Sequence, residues 1–280
     1  MRKVAAEKLI ETIEQLCIKA CYHLPKDVEA AMQRARCEEP WPLAQSVLGQ
    51  LMDNARIAQE GEVPICQDTG MAVVLLRIGQ QVCIEGGALC ELVDEGVRRG
   101  YRSGYLRKSV VQDPLRRVNT MDNTPALLHV ELVPGDAVEI TVAPKGFGSE
   151  NMSRLAMLKP ADGEKGVRQF VVETVRLCGS NPCPPIVVGV GIGGSFDTVA
   201  WQAKHALLRE IGTVHPDPYY AQMEADLLQD INALGIGPQG LGGRTTALAV
   251  HIEAAPTHIA GLPCAVNINC HATRHASATI

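Results

Sequence analysis

The chain has 280 residues, 46% of them apolar, and its 26 Lys and Arg against 31 Asp and Glu leave a formal charge of −5. That apolar content excludes a disordered chain, and the mild acidity leaves no basic footprint for nucleic acid. No apolar run approaches the ~20 residues that span a bilayer, so no membrane association is expected.

The N-terminal segment intersperses Glu7, Glu11 and Glu14 among apolar positions. This is the pattern of an amphipathic helix rather than a secretory signal, which makes a cytoplasmic protein the expectation. Residues 1–60 read as a helical layer of three helices. Asp27 is placed to cap the second, and Gly61 ends the third. From Val63 the texture changes. MAVVLLRIG reads as a strand, GGALCELVDEGVRRGYRSG as a helix, and LLHVELVPGDAVEITVAPKG as an antiparallel hairpin turning at Pro134-Gly135-Asp136. GVRQFVVETVRLC is a helix, and PPIVVGVGIGG is a buried strand entering a glycine-rich turn. Two more helices and a tail with two short strands follow. There is no sequence repeat and no linker. The expected fold is α+β, one domain over 1–280, with the helical layer of 1–60 packed on small mixed and antiparallel sheets within 61–280.

Ten cysteines in a chain with no sign of secretion point away from disulfides; any single one is by default a buried thiol. Three of them sit in turns rich in Pro, Gly or Asn: Pro64-Ile65-Cys66-Gln67-Asp68-Thr69-Gly70, Asn181-Pro182-Cys183-Pro184-Pro185, and Asn267-Ile268-Asn269-Cys270-His271. Their separations of 117 and 87 residues do not fit the close ligand pairs of a zinc finger. They fit a site assembled from distant loops, in which three thiolates would leave one iron of a four-iron cluster without a protein ligand. Three buried thiols are the plain alternative. Gly189-Val190-Gly191-Ile192-Gly193-Gly194 formally matches a dinucleotide fingerprint. The acidic residue expected about twenty positions on, Glu210, falls inside a helical pattern, which argues for a tight strand-to-helix turn.

CQDTG, KGFGSEN, CPP before a glycine-rich stretch, and HIAGLPCAVNINCHATRH together resemble the class I fumarate hydratases and the related L(+)-tartrate dehydratases, over about Val63 to Ala276. The resemblance is to the alpha subunit of the two-chain form, because the sequence stops ten residues after Cys270 where single-chain members continue. It implies a [4Fe-4S] cluster on Cys66, Cys183 and Cys270. It also implies that Asp68 is the acid for the departing hydroxyl and that Gln67, Arg107, Gly148 and His258 contact a dicarboxylate substrate, His258 with a catalytic part. A bidentate guanidinium suits a carboxylate, and a carboxyl beside the open iron can serve as a general acid. The bland readings are an Asx turn for Asp68, a solvated surface Arg107 and a core histidine for His258. Phe147 departs from the family's third glycine. The implied reaction is reversible hydration of fumarate to (S)-malate, with tartrate dehydration as the alternative. The carbon base and further cations would come from a beta subunit, in a dimer of alpha–beta pairs. A non-catalytic iron–sulfur electron carrier and an NAD-dependent oxidoreductase are the rivals from other classes. Cys270, His271 and His275 could also form a zinc site, a reading the cluster makes unnecessary.

Overall fold

In chain order the elements are β1 (Arg2–Ala5), α1 (Ala6–Tyr22), α2 (Lys26–Glu38), α3 (Pro42–Glu60), β2 (Met71–Gly79), β3 (Val82–Glu85), α4 (Leu89–Ser103), β4 (Leu127–Val133), β5 (Val138–Lys145), the single turn α5 (Phe147–Glu150), β6 (Arg154–Leu158), α6 (Gly163–Cys178), β7 (Ile186–Gly194), α7 (Phe196–Ala206), α8 (Pro218–Asn232), β8 (Ala247–Thr257), β9 (Leu262–Asn269) and β10 (Ala276–Thr279). The computed structural model describes all 280 residues. Helices and small mixed sheets make the fold α+β, as expected. The elements divide into two compact units, residues 1–25, 54–147 and 274–280, and residues 26–53 and 148–273. No helix is long and apolar enough to cross a membrane.

In the first unit the sheet order is β10-β5-β2-β4. The hairpin expected from LLHVELVPGDAVEITV does not form. β4 and β5 lie on opposite edges of β2, β4 parallel to it and β5 antiparallel. The reason is β2 itself, whose side chains are buried on both faces and whose backbone needs a neighbour on each edge. The Pro134–Ala137 segment arches over the end of β2: Gly79 N–H donates to Ala137 O (2.8 Å) and Gln80 N–H to Val133 O (2.8 Å). One face of this sheet, with Val74, Leu76 and Ile140, is buried against Ile13 of α1 and Val97 of α4. The buried positions of α1 (Leu9, Ile13, Leu16, Cys17, Ala20) follow the three-and-four spacing of an amphipathic helix. A strand the sequence reading passed over, β1, pairs in parallel with β3.

The second unit has the order β6-β9-β7-β8, again with a parallel neighbour (β8) and an antiparallel one (β9) flanking a central strand. Its core packs Val188, Val190 and Ile252 with α6 and α8 through Val171 and Leu227. The glycines of VVGVGIGG stay within β7 rather than forming a turn. A Cβ at Gly189 would lie 2.1 Å from Ala203 O, and one at Gly191 2.3 Å from Val199 O. These glycines admit α7 against the strand, which replaces the expected tight strand-to-helix turn as the reason for the motif. Gly191→Ala is therefore expected to cost about 1–3 kcal/mol or more of stability, read as a lower urea midpoint. Asp27 does not cap α2, which begins at Lys26; its Oδ2 accepts from Ile211 N–H at 2.8 Å.

The two sheets repeat one topology without repeating sequence. Each runs central strand, helical crossover, parallel neighbour, arch, antiparallel neighbour: β2-α4-β4-β5 and β7-α7-α8-β8-β9. The fourth strands are exchanged. β6, which follows β5, pairs with β9; β10, which follows β9, pairs with β5.

His251 on β8 is 2% exposed, and burial, then the charge of Arg209, push its pKa from the ordinary 6.5 down to about 4. The folded state thus binds this proton less readily than the unfolded chain. Its share of stability is fully present above pH ~6.5 and declines as pH falls toward about 4, a loss of about 3 kcal/mol in all. Urea unfolding between these pH values should show the decline, and His251→Asn should flatten it.

Candidate active site

Four of the ten thiols are sealed in the core. Burial raises Cys17 well above its ordinary range, Cys21 and Cys178 to about 11, and Cys264 to about 12. All four pack inside the two hydrophobic cores, Cys17 and Cys21 in the first unit and Cys178 and Cys264 in the second, as the default buried thiol does. Cys66, Cys183 and Cys270 are different: Cys183 is exposed and the other two are half-buried, on loops.

In the first unit, the loop before β2 carries Cys66, Gln67 and Asp68. Asp68 N–H points at the Cys66 sulfur (3.4 Å), the kind of bond that stabilises a ligating thiolate. The Asp68 carboxylate accepts twice from the main chain, Oδ1 from Gly70 N–H (3.1 Å) and Oδ2 from Phe147 N–H (2.9 Å). The first of these bonds makes the Asx turn weighed as the bland reading. Each oxygen keeps a second lone pair, so the turn does not exhaust the group. Gln67 is exposed on the same loop and lies 3.3 Å from the Cys66 sulfur through Oε1.

Arg107 is brought to this loop by its backbone. Its N–H donates to Thr69 Oγ1 (2.9 Å), and the Thr69 hydroxyl donates to Arg107 O (3.2 Å). Arg107 as a whole is exposed. Beneath the loop, the fully buried Tyr101 donates its hydroxyl to Thr69 O (2.7 Å), and Asn123 Nδ2 donates to Gly70 O (3.1 Å). Sequence reasoning missed Arg274 as a site residue. It is 5% exposed, and its Nη2 donates to the Asp68 carbonyl. A cation inside CHATRH, five residues after the end of β9, was the available signal.

In the second unit, Cys183 and Cys270 are brought together. His271, next to Cys270, donates its N–H to Cys183 O (3.2 Å), and its ring Nδ1 lies 3.1 Å from the same oxygen. Gln239 ties the following residue, donating both N–H (2.7 Å) and Nε2 (2.8 Å) to Pro184 O. Cys183 itself holds a left-handed φ of 52°. A Cβ on Gly148 would stand 4.0 Å from Asn181 O, so Gly148 borders the Cys183 loop.

His258 does not join this group. It lies in the arch between β8 and β9, exposed, with Nδ1 accepting from Ala260 N–H (3.2 Å). Cys270 follows the other end of β9, whose eight residues span roughly 26 Å at ~3.3 Å each. The expectation that His258 touches the same substrate as the Cys270 loop is not met within one chain. Nor does any group of three or more His, Cys, Asp or Glu gather as a single metal ion requires. Cys270, His271 and His275 form no such group in this arrangement. A cubane asks for less convergence, since its thiolates stand roughly 6–7 Å apart.

The repeated topology gives the cysteines a common logic. Cys66 and Cys183 each precede the central strand of their sheet, and Cys270 follows the antiparallel neighbour β9. The matching place after β5 is Gly146. Three of the four equivalent chain ends thus carry a thiol, and the fourth carries a glycine.

Residues 10–279 match the sequence profile of the fumarate hydratase (fumerase) family. The chain belongs to that family. It is 43% identical over 275 residues, 96% of each chain, to a Methanocaldococcus jannaschii protein provisionally named L(+)-tartrate dehydratase subunit alpha. It is 33% identical to the L(+)-tartrate dehydratase subunit alpha of Escherichia coli O157:H7, over 98% of this chain and 91% of that one. The subunit of the same name from E. coli K12 is 32% identical with the same coverage. The protein is accordingly a hydro-lyase, of the alpha-subunit type of the two-chain form.

Proposed function

We propose that this hydro-lyase hydrates fumarate reversibly to (S)-malate, as the cluster-bearing alpha subunit of an alpha–beta enzyme. The observation that carries the reading is the set of three loop thiols at equivalent chain ends, with Asp68, Gln67 and Arg107 anchored to the loop of the first. The donor set suits a [4Fe-4S] cluster on Cys66, Cys183 and Cys270. When bound, such a cluster supplies Lewis-acid polarisation of the hydroxyl that leaves in dehydration.

The residues of this chain do the rest. Arg107 forks onto a substrate carboxylate and Gln67 hydrogen-bonds it, both held in place through the Thr69–Arg107 backbone pair. Gly148 offers backbone without a side chain in the way. Asp68 delivers the proton that leaves with the hydroxyl as water, and takes it back in hydration. The proton on carbon needs a base that none of these residues provides. A beta subunit supplies that base and further cations for the dianionic substrate. Support for such a cover comes from the segment around Arg107: Tyr105 is 88% exposed, Leu115 89% and Met121 72%, unusual apolar exposure beside a polar site. His258 takes no step at this chain's own thiols.

The relatives' names favour a second reading, dehydration of L(+)-tartrate to oxaloacetate. It uses the same acid and the same carboxylate contacts on a substrate with one more hydroxyl. The deciding experiment is to purify the chain anaerobically, alone and co-expressed with its neighbouring beta-type chain, and to assay both substrates. The proposal expects brown protein in both cases, little activity alone, and fumarate turnover exceeding tartrate turnover by the pair. Preference for tartrate gives the second reading. An iron-free chain fully active by itself overturns both.

A further inference from the structure

β4 is an edge strand with one hydrogen-bonded neighbour, β2. Its sequence is Leu127-Leu128-His129-Val130-Glu131-Leu132-Val133, with no proline and no lysine, the residues that usually blunt an open edge. The register with β2 pairs Leu76 with Val130 and Ile78 with Leu132. On β2 these positions are buried, Leu76 at 0% and Ile78 at 9%; on β4, Val130 is 47% exposed and Leu132 67%. The helices that cover this face of the sheet thus stop short of its last strand. Val130 and Leu132 on this face, and the unpaired backbone edge of β4, are left to solvent, while Leu128 packs partly against the core.

The strand is also complementary to itself. Read antiparallel about Val130, Leu128 meets Leu132, Leu127 meets Val133, and His129 meets Glu131, each pair occurring twice about a two-fold axis. A shift of one residue would set apolar rows against the other face and lose the His–Glu match. Glu131 is already oriented by Arg77 Nε (3.1 Å), so its carboxylate is held at the sheet surface. Charge and hydropathy therefore select one register and one orientation.

We infer that β4 pairs with β4 of a second copy of this chain, antiparallel and centred on Val130, joining two four-stranded sheets into one of eight. Such a contact is isologous and closes at two copies, which also removes an edge that would otherwise recruit further chains. The inference does not depend on the cluster or on the substrate.

The test is disulfide trapping in the full chain. At the two-fold centre the two Val130 Cβ atoms would stand about 4.5–5.5 Å apart, within reach of a disulfide, whereas two Leu127 residues would be separated by roughly 20 Å. Under mild oxidation Val130→Cys should give a chain–chain dimer on a non-reducing gel, above the wild-type background set by exposed native cysteines. Leu127→Cys should stay at that background. The double substitution Val130→Lys, Leu132→Lys should lower the sedimentation mass of the chain by one copy while leaving its circular dichroism unchanged, since both sites are exposed. Equal trapping at 127 and 130, no trapping at 130, or an unchanged mass in the double variant would each overturn the pairing.

Discussion

Asp68→Asn should lower turnover by about 10²–10⁴, the usual scale for a general acid. The side chain keeps its size but no longer carries a transferable proton. The structure adds a second consequence. Both carboxylate oxygens accept main-chain N–H groups, from Gly70 and Phe147. The Asn amide can accept at only one of them and sets a donor against a donor at the other, a local cost of about 1–3 kcal/mol. Loop damage and loss of the acid must therefore be told apart. Thr69→Val loosens the same loop at its Arg107 contact without touching the proton, so it should mainly raise KM. Iron per chain measured with kcat completes the comparison. Near-normal kcat in Asp68→Asn would leave Asp68 as a turn residue and move the acid elsewhere.

Replacing Cys183 with Ser should strip the chain of its cluster. A hydroxyl is a poor substitute for a soft thiolate, and two remaining thiolates hold a cubane weakly. Iron and sulfide are expected to fall from about four each per chain to near background, with loss of colour and of turnover together. The fold should survive, because Cys183 is exposed and its loop is tied down by backbone bonds from His271 and Gln239 to Cys183 O and Pro184 O. Cys264→Ser is the control. That thiol is sealed in the core, with burial holding its pKa near 12, so its loss should perturb stability and leave iron content unchanged. Iron retained in Cys183→Ser would exclude Cys183 from the ligand set.

Local signals placed most elements correctly because those signals are physical constraints on short segments. Three-and-four spacing marked α1, and an uninterrupted apolar run marked β2 and β7 as strands buried on both faces. The turn chemistry around Cys66, Cys183 and Cys270 marked the loops, and their motifs carried the family. Local patterns failed where a segment's partner lies far along the chain. PGDA between two strands reads as a hairpin, yet β2 enters between β4 and β5 because its own two edges need bonding. GVGIGG reads as a tight strand-to-helix turn, yet it stays within β7 and α7, a later segment, is what requires the glycines.

By itself, then, the sequence determined the fold class, the family, the three loop thiols and the neighbours Gln67, Asp68 and Arg107 as candidates, since each is written in contiguous residues. Only the tertiary structure decided that two sheets repeat one topology with their fourth strands exchanged, and that Arg274 and Phe147 brace Asp68 across the fold of the first unit. It also set His258 and Cys270 at opposite ends of β9. The physical reason is the same in each case. Twelve residues of sequence separation say nothing of distance until the chain commits to strand or turn. In an extended strand they place two side chains roughly 26 Å or more apart rather than in one site.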